Sequence, residues 1–215
     1  MSGIEAEIGH FGVGGSAGAV ISRNGADVVP DGVVLDFSAV RDALSSAGLP
    51  VGGQFIVECY GPDGNLKWED TAENGVTDAG IASLLNIYFR NQTQIASWYI
   101  GLVDNSGFVS FASADTMSSH AGWSEVSTGS YSNANRLQWS AGAPSGGAIV
   151  NASTADHNMT PVSALTVKGL FLTSDNTKGG TTGTLFSTAA FTGGTQTVNN
   201  GDTLKVTYTV SASSA

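Results

Sequence analysis

Asp115, Ser118 and His120 fall within six consecutive residues of this chain. An acid, a hydroxyl and an imidazole are the parts of a hydrolytic relay: serine attacks, histidine takes the proton and aspartate orients the histidine. They sit in Asp115-Thr116-Met117-Ser118-Ser119-His120-Ala121-Gly122-Trp123, which has neither strand alternation nor a helical period. Such a relay is defined by spatial order, and crowding along the chain gives no reason to expect that order. No Gly-x-Ser-x-Gly elbow surrounds Ser118. Aspartate and serine side chains that bond nearby backbone and shape a loop are the commoner use of such a run. A structured loop is the reading from the residues, with catalysis as the alternative.

Other chemistry is sparser. His10, His120 and His157 are the only histidines, and Asp156-His157 is the nearest approach to a metal pair. No two histidines stand four apart on a helix, as a zinc helix requires. Calcium needs acids at alternate loop positions, and Asp175-Asn176 is too sparse for that. Gly12 to Gly18 reads Gly-Val-Gly-Gly-Ser-Ala-Gly, but no apolar strand precedes it as a dinucleotide site requires. Trp68, Trp98, Trp123 and Trp139 could line a sugar site. Each lies in or beside a strand pattern, which favours core packing. The expectation is no catalytic residue, no metal and no cofactor.

The elements that would position these residues are mostly strands. Ser97 to Val103 is a short apolar run rich in aromatic and β-branched residues, ended by Asp104-Asn105-Ser106-Gly107. Gln54 to Tyr60 alternates, with Phe55, Val57 and Cys59 on one face. Gly61-Pro62-Asp63-Gly64-Asn65 turns the chain, and Leu66 to Glu69 returns, which predicts a hairpin. Thr77 or Asp78 caps a helix with Ile81, Leu84, Leu85 and Tyr88 at helical spacing, and Asn91 suits its end. Such a helix could cover one end or face of a sandwich. Further strands are expected at Asn135–Ser140, Ala148–Asn151, Leu165–Thr173 and Thr184–Phe186. In the last strand Leu204, Val206, Tyr208 and Val210 alternate with polar residues, and Ser211–Ala215 is expected to fray.

Residues 1–53 differ. Glycines are frequent, Val28 to Val34 forms two short pieces around Pro30-Asp31-Gly32, and Ser38 to Ala47 predicts a short helix. This is too little for a core of its own. The segment is an arm needing another surface, or it packs on the following domain. Gly52-Gly53 marks the expected boundary. Phe11, Val33, Leu35, Phe37, Val40 and Leu44 are the apolar anchors expected to meet a partner.

Composition excludes several classes. The 215 residues carry 18 acids against 8 bases, a net charge of −10, and only 12% are charged. Dispersed bases make a poor nucleic-acid binder, because phosphate contacts need clustered Lys or Arg. Cys59 is the sole cysteine, so no internal disulfide forms. No apolar run approaches the roughly 20 residues of a membrane helix, and no leader of basic residues and apolar core opens the chain.

Several stretches resemble a family of structural proteins of tailed bacteriophages. They are Phe55-Ile56-Val57-Glu58-Cys59-Tyr60, Gly64-Asn65-Leu66-Lys67-Trp68, Thr77-Asp78-Ala79-Gly80, Trp98-Tyr99-Ile100-Gly101-Leu102, Gly201-Asp202-Thr203-Leu204 and, most specifically, Asp115 to Trp123. The resemblance covers residues 54–210 and leaves the first 53 outside it. Some members look like capsid cement, or decoration, proteins that staple neighbouring capsid subunits. The resemblance implies no catalytic residues and gives His120 and Trp123 the task of holding a loop in shape. It implies a place on the outer capsid surface of the virion after synthesis in a host cytoplasm. The major capsid protein and other copies of this chain would be its partners. An acidic surface suits that position and disfavours packaged DNA. The expected fold is mostly β, a β-sandwich or jelly roll over residues 54–215 with one helix and an extended N-terminal arm over residues 1–53. A fibre-type receptor- or carbohydrate-binding module is the alternative function, and a glycan hydrolase the third.

Overall fold

A computed structural model describes residues 50–212. The elements in order are β1 (Val51–Tyr60), β2 (Leu66–Val76), α1 (Asp78–Phe89), β3 (Trp98–Asp104), β4 (Ser124–Glu125), β5 (Leu137–Trp139), β6 (Ala148–Val150), β7 (Ala155–Asn158), β8 (Leu165–Thr173), β9 (Leu185–Ala190), β10 (Gln196–Val198) and β11 (Thr203–Ala212). Over the described residues the protein is a mostly antiparallel β structure of the sandwich kind with one helix, as the strand patterns predict. The anchors Phe11, Val33, Leu35, Phe37, Val40 and Leu44, His10, the glycine run 12–18 and the helix expected at 38–47 lie outside the described residues.

The strand path runs β4-β3-β8-β9-β2-β1-β11-β6. Its continuity rests on β2. Up to Glu73 this strand pairs with β1, and from Asn74 to Val76 it pairs with β9 instead. One long strand therefore carries the chain from one layer into the other. In the first layer β1 and β11 pair along their full lengths, with Phe55 opposite Tyr208, Val57 opposite Val206 and Cys59 opposite Leu204. These six side chains alternate inward and are fully buried. Each fully buried side chain of this size contributes about 1.5–3 kcal/mol. Two short strands share the outer edge of β11: β7 pairs with Thr203–Val206 and β6 with Thr209–Ser211. Asn151 fills the gap between them. Its side chain donates to Val206 O at 3.0 Å and accepts from Tyr208 N at 2.8 Å, so its amide stands in for a missing strand peptide.

In the second layer β8 lies between β3 and β9. Its second half, residues 169–173, is buried on both faces, which accounts for the consecutive apolar residues Leu170, Phe171 and Leu172, whereas residues 165–168 alternate. Leu170 and Leu172 join the main core between the layers. Phe171 points the other way, into a second cluster with Val103, Met117, Trp123 and Leu185. Gly101, opposite Phe171 on β3, makes that ring's position possible: a Cβ there would stand 2.1 Å from its edge carbon. The loop between β3 and β4 covers this second cluster, with Phe108 and Phe111 at its margin.

Several sequence expectations need correcting. The first strand begins at Val51, so Gly52 and Gly53 lie inside the β1–β11 ladder rather than at a boundary. Of the tail expected to fray, Ser211 and Ala212 are instead paired with Gly52 and Val51, and residues 213–215 lie outside the described residues. β2 runs to Val76, well beyond Glu69. β4, β7 and β10 were not legible, because strands of two to four residues carry too few positions for an alternation to register. The largest correction concerns α1. Its ends are as expected: Thr77 caps it, Arg90 closes it and Asn91 follows at φ 53°. Its apolar stripe, however, does not cover the sandwich. Only Gly80 is buried, and a Cβ there would meet Phe186 O at 2.4 Å. The helix approaches β9 through its smallest residue, and Ile81, Leu84, Leu85 and Tyr88 face outward.

Candidate functional site

The chemistry-bearing run is held in a loop whose shape follows from its own side chains. After β3, Asp104 accepts Ser106 N at 2.8 Å and Gly107 turns the chain at φ 73°. Val109 N then donates to Gly122 O at 2.8 Å, closing the loop on itself. Gly122 permits this approach, since a Cβ would stand 2.3 Å from Ser110 O. Inside the loop the Asp115 carboxylate accepts Trp123 Nε1 and Ala112 N, each at 2.9 Å. His120 Nδ1–H donates to Trp123 O at 2.9 Å, and its ring stacks on the Trp123 indole at 3.9 Å. Thr116 and Ser119 exchange two backbone bonds, while the Thr116 and Ser118 hydroxyls meet at 3.2 Å.

These bonds decide what the run can do. A relay needs aspartate on histidine and histidine on serine. Here Asp115 is bonded to an indole, His120 to a carbonyl and Ser118 to a threonine hydroxyl. The structure brings the three residues into one loop without putting them in relay order. Trp123 and Met117 are the product: both are driven into the second cluster against Phe171, with ring centroids of Trp123 and Phe171 5.1 Å apart.

The second histidine behaves differently. Asp156 and His157 are adjacent on β7, so their side chains project from opposite faces and cannot share an ion. His157 is fully buried beside Tyr131, donates through Nε2–H to Ile100 O at 3.4 Å, and ties β7 to β3 across the core. Burial holds its pKa down at about 4. Among the described residues no three His, Cys, Asp or Glu side chains converge as a metal site would need. The Cys59 thiol is pushed up to about 12, first by burial and then by the Asp202 carboxylate. Such a thiol is inert toward nucleophilic chemistry. Asp202 is itself engaged, with Lys67 at 2.5 Å and Asn199 N at 2.8 Å.

Sequence reasoning missed the strongest polar cluster. Arg136 is buried and grips Glu125 through Nε–Oε1 at 3.0 Å and Nη2–Oε2 at 2.8 Å. It also donates to Asp175 O at 2.8 Å and Gly180 O at 3.0 Å, and Gly179 N donates to Glu125 Oε2 at 2.7 Å. Nearby, Lys178 Nζ donates to Thr128 O at 2.6 Å and Tyr131 O at 2.9 Å. These contacts staple the 124–136 loop to the 174–183 loop. Apart from Glu125, in the two-residue strand β4, the groups lie in irregular segments, so no periodicity marks them.

Two clefts lie among the described residues. One cleft of about 250 Å³ lies between Val76, Phe111, Ser113 and Ala189. Another of about 380 Å³ lies under α1, lined by Ser83, Asn86, Gln92, Thr116 and Leu185 and by no charged side chain. Trp123 and Trp139 are buried, and Trp68 and Trp98 are half-buried against the core. The indole N–H groups of Trp68 and Trp139 donate to Thr197 O and Tyr208 O, each at 3.0 Å.

Among the described residues, nothing covers the outer face of α1. The loop and β9 present it: Asp78 N donates to Ser113 O and Thr77 N to Phe186 O, each at 2.9 Å, and the Thr77 hydroxyl donates to Leu185 O at 2.6 Å. With its first turn held this way, the helix exposes Ile81 at 46%, Leu84 at 40%, Leu85 at 51%, Tyr88 at 83% and Phe89 at 74%. No protein-family model matches the chain. No curated protein matches it either.

Proposed function

We propose that this chain is a structural component of a tailed-bacteriophage virion, a capsid cement protein that stabilises the head by binding across subunit junctions. One observation carries the reading: the Asp115–Trp123 run, the most specific part of the resemblance, is wired as a scaffold. Its acid, imidazole and hydroxyls bond within the loop, bury Trp123 and hold the first turn of α1 through Ser113. A module built in this way works by presenting surface. Binding across a junction buries area on both capsid subunits and raises the cost of separating them. Phe11, Val33, Leu35, Phe37, Val40 and Leu44 are the proposed capsid anchors, because a segment short of its own core gains most by ordering on another protein. The engaged indoles of Trp68, Trp123 and Trp139 count against a sugar site built on those tryptophans.

The test is sedimentation of the full chain with heads that lack it. Saturable binding and a raised temperature of head disruption are expected. Replacing Phe37, Val40 and Leu44 by serine should weaken binding without altering the melting point of the free protein. Absence of binding to heads, together with a Trp fluorescence response to sugars, would replace the cement reading with the fibre-module one.

A further inference from the structure

The exposed apolar residues on α1 are not scattered. Ile81, Leu84, Leu85, Tyr88 and Phe89 follow an i, i+3, i+4, i+7, i+8 pattern and share one face. An isolated exposed leucine needs no explanation, but a contiguous apolar patch does. Aromatic side chains present about 150–250 Å² each, so Tyr88 and Phe89 together expose on the order of 300 Å². With the three half-exposed aliphatic residues the stripe reaches roughly 600 Å². A stable interface takes about 800 Å² from each partner. The stripe supplies most of that, and exposed Ala82 beside it adds to it.

Charge indicates which partner fits. From Ala79 to Phe89 the helix has no charged residue. Apart from Asp78 at its start, the helix therefore offers no charge to a partner, and the surface that matches the stripe is itself uncharged and apolar. This chain carries a net charge of −10, so two copies repel over most of their surfaces. The stripe is a place where they can meet without apposing like charges. A twofold axis makes one patch serve both sides. We propose that α1 is the homodimer interface: two copies pair their helices antiparallel about a twofold axis near Leu84 and Leu85, packing Tyr88 and Phe89 of each against the first turns of the other. This pairing is independent of the capsid reading and would hold for a virion protein of any position.

Sedimentation velocity of the full chain over a range of concentrations tests it. The wild-type protein should be a dimer at micromolar concentration. Leu85→Glu combined with Tyr88→Glu should weaken association at least about 100-fold, the effect of losing two central contacts. The melting point of the dissociated chain should not change, since neither side chain is buried within it. As a second measurement, Leu85→Lys and Leu85→Glu proteins should each be monomeric alone and should form a mixed dimer when combined, because residues near a twofold axis face their own counterparts. A wild-type chain that stays monomeric overturns the proposal. A dimer that survives the double substitution, or a Lys/Glu mixture that fails to associate, overturns it equally.

Discussion

Replacing Arg136 by methionine tests the cluster that sequence reasoning did not find. The guanidinium is fully buried, and its Glu125 partner is 8% exposed. Arg136→Met keeps much of the volume but removes both bonds to the carboxylate and those to Asp175 O and Gly180 O. Glu125 would retain a single donor, Gly179 N. Breaking a buried ion pair by deleting one partner costs about 3–5 kcal/mol, because an uncompensated charge stays behind. Each orphaned buried carbonyl can add about 1–3 kcal/mol, though such terms overlap. A loss of about 4 kcal/mol is therefore expected, a large share of the 5–15 kcal/mol typical of a domain. Removing both charges should cost less than the arginine change alone, since an apolar pair leaves no stranded carboxylate. The assay is a double-mutant cycle by urea unfolding with Arg136→Met, Glu125→Met and the pair. A coupling energy of at least about 2 kcal/mol is expected. If Arg136→Met costs under about 1 kcal/mol with no coupling, the cluster is solvated and the reasoning fails.

Acid should act through His157. Its folded pKa of about 4 lies below the usual 6.5, so on acidification the unfolded chain takes the proton first. Its contribution to stability is full above pH 6.5 and falls as the pH drops toward 4, by roughly 3 kcal/mol in all. His157→Gln should flatten that part of the pH–stability curve, and equal slopes in the two proteins would refute it. Gly101→Ala places a Cβ where the Phe171 ring sits and should cost about 1–3 kcal/mol, read as a lower denaturant midpoint. Val206→Asp buries an unpaired charge in the main core and should prevent folding, as far-UV circular dichroism would show. Lys205→Asp should be milder yet measurable, at about 1 kcal/mol, because Lys205 pairs across strands with Glu58 on one side and Asp156 on the other. An unchanged midpoint would mean that neither acid feels it.

The alternation of Leu204, Val206 and Tyr208, the hairpin at Gly61–Asn65 and both ends of α1 were legible because each depends on residues next to one another in the chain. Alternation assigns a face, a Pro-Asp-Gly turn reverses direction, and a threonine hydroxyl caps the helix it precedes. The loop at Asp115–Trp123 was legible as irregular, but not its wiring: the same acid, hydroxyl and histidine could stand in relay order or, as found, bond to an indole and a carbonyl. Only folding chose between them, by driving Trp123 onto Phe171. The periodicity of Ile81, Leu84, Leu85 and Tyr88 likewise established that they share a face. It could not say whether that face turns inward. The close approach of Gly80 to Phe186 O decided that, leaving the apolar side of the helix outward. Arg136 and Glu125 carry no pattern at all, because they meet only when the segment from Glu125, at the end of β4, to Arg136, just before β5, is bent back as both strands pair with β3. Local sequence determines turns, caps and faces; what each face meets is set by strand register and layer packing, which act between residues far apart in the chain.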